Sequence, residues 1–135
     1  MEYKSLVGRG NDNNVVIYST EECDGKSRAQ LLINELHPAI FDHPLDHVPG
    51  MLLIESFRQM AFLCLYKKFD VYHENVFMKI FDIDFIKFTE LHIDTYCYIE
   101  NICRDESTGQ IKMVLSIRQN DLLTALCHIQ FSNNG

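Results

Sequence analysis

The chain has 135 residues and a mass of 15.8 kDa, the size of one domain, and residues 1–135 are read as a single unit. Hydrophobic residues make up 47% and charged residues 23%, a ratio too apolar for a disordered chain and too charged for a membrane bundle. Lys and Arg total 12 against 19 Asp and Glu, a net charge of −7 without any basic cluster, so a nucleic-acid partner is not expected.

The opening Met1-Glu2-Tyr3-Lys4 has no apolar run of the kind a secretory leader carries, and no later stretch reaches the roughly 18 apolar residues of a membrane span, so a cytoplasmic protein is expected. Five cysteines, an odd number with no C-x-x-C pair, argue against a disulfide framework and against a zinc ribbon. Cys64, Cys97 and Cys127 lie among apolar neighbours and read as small hydrophobes without a catalytic role.

In chain order, Asn14 to Thr20 reads as a β-branched strand, and Ala29 to Leu36 as a second strand after the turn-forming Asp24-Gly25. All three prolines, Pro38, Pro44 and Pro49, fall in the next stretch, which marks a special loop. The run Met51 to Tyr66 is too long and too rich in Leu, Met and Ala for a strand. It predicts a helix with Pro49 in its first turn, Lys67-Lys68 at its C-terminal end, and burial on nearly every side. Val76 to Phe88, Thr95 to Cys103, Ile111 to Gln119 and Leu122 to Phe131 then read as strands joined by short turns, hence antiparallel. One long buried helix with an antiparallel sheet wrapped around it is an α+β architecture.

Chemistry concentrates where the loop meets the helix. Glu55, Arg58 and Gln59 stand at i, i+3 and i+4 and share one face of an otherwise apolar helix. A carboxylate buried there needs a partner, and Arg58 is the near one. The bland alternative is an exposed ion pair worth roughly 0–1 kcal/mol and functionally silent. The functional alternative is a site in which a carboxylate beside an apolar pocket acts as general base or acid and a guanidinium holds an anion or polarises a carbonyl. His43 and His47, with Asp42 and Asp46, have a metal-like H-x-x-x-H spacing, but Pro44 and Pro49 break the helix that would align them. Either an Asx-type turn fixes this loop, or its imidazoles reach an acyl carbonyl near Glu55.

The run FDHPLDHVPGMLLIESFRQ, residues 41–59, resembles the signature of the A-factor biosynthesis hotdog family (AfsA-like proteins), D-H-P-x-D-H-x-P-G-M followed by E-A-x-R-Q, with Ser56 where Ala is usual. The upstream Leu6-Val7-Gly8-Arg9 and Asn14-Val15-Val16 look like the start of the second repeat in those proteins. More distantly, the helix start is similar to the hotdog 3-hydroxyacyl-carrier-protein dehydratases, although the histidine loop is shorter and differently spaced.

The resemblance implies a hotdog fold and an acyl-thioester enzyme that joins a 3-ketoacyl group, delivered by acyl-carrier protein or CoA, to a glycerol-derived C3 unit such as dihydroxyacetone phosphate. It places Glu55, Arg58, His47 and His43 in the catalytic group and Gly50, Gln59 and Arg9 in substrate binding, with no cofactor and no metal. Dehydration, thioester hydrolysis and a non-catalytic acyl- or carrier-binding role stand as alternatives. Family members typically carry two such domains in tandem, so this one domain is expected to pair as a homodimer or with another hotdog chain.

Overall fold

Two of the strand connections are dictated by their turn residues. Asp24 and Gly25 (φ 53° and 79°) and Asn120 and Asp121 (φ 50° and 65°) close two-residue hairpins in the left-handed conformation, which matches strand twist and suits Asn, Asp and Gly. A computed structural model of the chain describes residues 3–6, 9, 14–35 and 47–133. The elements are α1 (Tyr3–Leu6), β1 (Ile17–Cys23), β2 (Lys26–Leu31), α2 (Gly50–Phe69), a 3-10 turn at His73–Asn75, β3 (Val76–Phe85), β4 (Tyr96–Arg104), β5 (Ile111–Gln119) and β6 (Leu122–Asn133). The strands form one six-stranded sheet in the order β1-β2-β4-β5-β6-β3, antiparallel throughout.

Alternation along the central strands makes one sheet face apolar. Ile111, Met113, Leu115 and Ile117 of β5 and Ala125, Cys127, Ile129 and Phe131 of β6 are all buried, and α2 lies against them with Leu52, Phe57, Met60, Ala61, Leu63 and Leu65. This is the hotdog arrangement, a sheet wrapped around one long helix. Among the described residues no helix is long and apolar enough to cross a membrane.

The boundaries differ from the sequence expectation for identifiable reasons. The first strand begins at Ile17 rather than Asn14 because the Val16 N–H donates to the Gln59 side chain instead of to the ladder. The second covers Lys26–Leu31, since beyond Leu31 the chain leaves the sheet. β3 ends at Phe85 rather than Phe88 because Ile86 and Lys87 both donate their N–H to the Thr124 carbonyl, at 2.9 and 3.2 Å, which turns the chain. Pro49 caps α2 from outside it, extended at φ −68°, ψ 149°, and its carbonyl accepts from Leu52 and Leu53. The helix runs on past Tyr66 to Phe69 and is closed by a left-handed Asp70 (φ 56°, ψ 38°) whose N–H donates to the Tyr66 carbonyl.

One expectation is corrected. The helix is not buried on nearly every side: Met51 is 62% and Ile54 41% exposed, while the sheet covers the opposite flank. A single sheet can enclose only part of a helix, and positions 51, 54, 55 and 58 share the uncovered stripe.

Candidate active site

Glu55 sits on that stripe, one turn into α2, and is approached by side chains from two separate parts of the chain. Arg58 donates from Nε to Oε1 at 2.9 Å and from an Nη to Oε2 at 3.0 Å. Arg9, 46 positions earlier, donates from Nε to Oε2 at 2.6 Å and places an Nη 2.6 Å from Oε1. Gln59 donates from Nε2 to Oε2 at 2.5 Å. Both guanidiniums therefore grip the carboxylate as two-pronged forks, and the count of donors exceeds the roughly four lone-pair sites of a carboxylate.

Burial of the Glu55 side chain favours the protonated acid, but hydrogen bonds from Arg58, Arg9 and Gln59 outweigh it and hold the carboxyl down at about 2. Glu55 is thus ionised and fully occupied at neutral pH. Arg58 also lies over the Phe62 ring, 5.0 Å from its centroid. Ser56, next to this group, is buried and donates to the Leu52 carbonyl at 2.7 Å, a local bond that lets Ser stand where Ala is usual.

Gln59 is fully buried, and its amide is spent within the protein. Besides Glu55 it donates to the Asn14 carbonyl at 2.7 Å, and its Oε1 accepts from the Val16 N–H at 2.9 Å. It rivets the segment before β1 to the helix, on the same side as the two arginines. Both Nε2 hydrogens are engaged, by Glu55 and by the Asn14 carbonyl, so in this geometry Gln59 holds the carboxylate in place.

His47 is held at the other side of the helix start. It forms an isolated antiparallel bridge with Glu90, Val48 donates to the Thr89 carbonyl at 2.7 Å, and the imidazole stacks on Phe88 with centroids 4.3 Å apart. These residues border a cavity of about 520 Å³ lined by His47, Val48, Gly50, Leu53, Phe85, Ile86, Lys87, Phe88 and Thr89. Its volume falls within the roughly 300–1,000 Å³ of small-molecule pockets. Glu55 and Arg58 are not among its lining residues; Gly50 and Leu53, just upstream on the same helix, are. A Cβ built on Gly50 lies 3.4 Å from Phe85 Cζ, so glycine there keeps the cavity wall thin.

His43, Asp42 and Asp46 lie outside the described residues, as does the Asx-type turn expected of them. Among the described residues no cluster of three or more His, Cys, Asp or Glu side chains could hold a metal ion. Cys97 and Cys127 are buried free thiols; burial pushes both up, Cys127 to about 12, which leaves them protonated and unreactive at neutral pH.

Sequence reasoning missed the aromatic wall of the cavity and the clamp that holds it. Gln119 is 5% exposed; it accepts from the Glu90 N–H at 2.9 Å and donates to the Glu90 carbonyl at 2.7 Å and to Thr95 Oγ1 at 2.8 Å. A polar residue ending an apolar strand was the available signal.

Comparison with known proteins bears on the family and the fold. Two 2-oxo-3-(phosphooxy)propyl 3-oxoalkanoate synthases are similar to part of the chain. That of Streptomyces virginiae is 51% identical over 55 residues, 41% of this chain and 18% of the relative; that of Streptomyces coelicolor is 43% identical over 57 residues, 42% of this chain and 17% of the relative. The matched stretch thus spans under a fifth of those relatives' length. Among solved structures, a sigma28-regulated virulence protein from Campylobacter jejuni superposes with a TM-score of 0.65 at 9% identity, covering 98% of this chain and 95% of its own. A predicted thioesterase from Bacillus stearothermophilus gives 0.60 at 13% identity over 80% of this chain and 79% of its own. At these identities the likeness is one of fold. The model of the A-factor biosynthesis hotdog domain matches residues 3–133, and the chain belongs to that family.

Proposed function

We propose that the chain carries an acyl-transfer site of the kind named in those synthases, moving a 3-oxoacyl group from a CoA or acyl-carrier-protein thioester to the hydroxyl of dihydroxyacetone phosphate. The observation that supports this best is the pairing, on one helix start, of a doubly guanidinium-bound carboxylate with an apolar cavity. The cavity suits an acyl chain, with Gly50 in its wall and His47 at its edge. Glu55 is the general base for the attacking hydroxyl, Arg58 stabilises the oxyanion that forms at the thioester carbonyl, Arg9 meets the phosphate and Gln59 positions Glu55. His43 belongs to the same proposal as a group at the entrance.

A second copy of the chain completes the site. Met51 and Ile54 on the helix, Phe85, Ile86 and Phe88 beyond it, and the ten-residue edge strand β3 with Phe77 and Ile80 are apolar surfaces that the described residues leave exposed. Pairing through them makes a homodimer with two equivalent sites.

One observation favours a different reading. A carboxylate held at about 2 with every lone pair occupied is a poor base as it stands, which suits a non-catalytic acyl- or carrier-binding subunit. The two readings separate when the protein is incubated with a 3-oxoacyl thioester with and without dihydroxyacetone phosphate. Thiol release that requires the acceptor and yields the ester supports transfer. Thiol release without acceptor indicates hydrolysis, and binding without thiol release indicates the subunit.

A further inference from the structure

As an acyl-transfer base, Glu55 faces an obstacle that the geometry makes explicit. A base needs a free lone pair, and each Glu55 oxygen has none: Oε1 is met by Arg9 and Arg58, Oε2 by Arg9, Arg58 and Gln59. One ligand must leave before a hydroxyl can approach. Gln59 is buried and bonded at both ends. Arg58 is on the same helix one turn away, 23% exposed and stacked on Phe62. Arg9 is the odd one out, 37% exposed and reaching in from outside the sheet and helix core. Its departure clears one lone pair on Oε1 and leaves Oε2 bonded to Arg58 and Gln59, so Oε1 is the atom that becomes basic.

We propose that Arg9 is an exchangeable shield: the phosphomonoester of the acceptor takes the Arg9 guanidinium away from Glu55, and the uncovered Oε1 then accepts the acceptor's hydroxyl proton. The inference rests on the acyl-transfer reading and deepens it by making the acceptor's phosphate a switch for the base as well as a handle. A dianionic phosphomonoester matches a guanidinium fork as the carboxylate does and carries more charge, so the exchange is balanced enough to run in both directions. In the step that follows, the hydroxyl oxygen forms a C–O bond with the thioester carbonyl carbon. The C–S bond breaks, and the proton taken by Glu55 passes to the departing thiolate. Release of the product phosphate returns Arg9 to the carboxylate. An acceptor without phosphate meets a shielded site and reacts slowly, which discriminates against water as well.

The test separates the phosphate from the hydroxyl. The donor is a 3-oxoacyl N-acetylcysteamine thioester, which brings no phosphate of its own, and the acceptor is dihydroxyacetone with or without inorganic phosphite. The expected result is saturable activation by phosphite, tenfold or more in kcat/KM, in the unmodified protein. Arg9→Ala is expected to turn over dihydroxyacetone faster than the unmodified protein, to ignore phosphite, and to lose tenfold or more in kcat/KM with dihydroxyacetone phosphate. Arg9→Lys, which keeps the charge but not the fork, is expected to retain part of the phosphite response, and an unchanged thermal melt shows that both variants are folded. Ready turnover of dihydroxyacetone phosphate combined with no phosphite activation overturns the inference while leaving acyl transfer intact. So does an Arg9→Ala variant that loses activity equally with both acceptors. Failure of the acyl-transfer reading looks different: no ester forms from dihydroxyacetone phosphate in any variant, and the inference falls with it.

Discussion

Gln59 and Glu55, one helical turn apart, share a hydrogen bond of 2.5 Å, and the same Gln59 nitrogen also donates to the carbonyl of Asn14 at 2.7 Å. The carboxylate is thereby tied to the segment that precedes β1, and its orientation depends on a residue with no surface exposure. Replacing Gln59 with Leu keeps the bulk but takes the side-chain acceptor from the Val16 N–H and a donor from both Glu55 and the Asn14 carbonyl. The expected cost is roughly 2–4 kcal/mol, read as a lower midpoint in urea unfolding with an unchanged slope.

Acid sensitivity follows from the ion pair itself. The Glu55 carboxyl lies at about 2 in the folded chain against an ordinary 4.5, so its contribution is complete above about pH 4.5 and is lost as pH falls toward 2. At about 1.4 kcal/mol for each tenfold change in proton affinity, this amounts to at most about 3 kcal/mol, reduced by solvent screening to roughly 1–2. Glu55→Gln should show a correspondingly smaller loss of unfolding free energy between pH 5 and pH 2.5 than the unmodified protein.

The cavity predicts chain-length selectivity. A Cβ on Gly50 would lie 3.4 Å from the Phe85 ring, so Gly50→Ala asks only a small shift of that ring, whereas Gly50→Leu fills the space. With Gly50→Leu, KM for long-chain 3-oxoacyl thioesters is expected to rise tenfold or more, with a much smaller change for acetoacetyl thioesters. Steady-state kinetics across a chain-length series provides the check.

Gln119 should govern the order of the cavity wall. Its amide closes on both backbone groups of Glu90, and Thr89 Oγ1 donates to Thr124 Oγ1 at 2.9 Å beside it. Gln119→Ala is expected to destabilise the fold by roughly 2–3 kcal/mol and to raise amide exchange selectively over residues 86–95.

Met51→Lys with Ile54→Lys places charge on the exposed helix stripe. Sedimentation should show a dimer for the unmodified chain and a monomer for the double variant; a monomer for both removes the dimer from the proposal.

Much of this was legible locally. The grouping of Glu55, Arg58 and Gln59 follows from helical spacing alone, and the turns at Asp24-Gly25 and Asn120-Asp121 follow from residues that tolerate the left-handed region. Arg9 is legible only through the family resemblance, because a side chain 46 positions away leaves no mark in local spacing. The strand start at Ile17 is hidden from local pattern for the same reason, since the hydrogen bond that sets it comes from Gln59. The uncovered Met51 and Ile54 look like core residues in the sequence, since apolar character does not reveal which molecule does the covering.

The most direct measurement is a single-turnover reaction of the unmodified protein and Glu55→Gln with a 3-oxoacyl thioester and dihydroxyacetone phosphate, with ester and free thiol quantified by mass spectrometry. The expected result is ester and thiol in equal amounts for the unmodified protein and a rate at least a hundredfold lower for a folded Glu55→Gln. Equal rates in the two proteins, or thiol without ester, would contradict a transfer reaction based on Glu55.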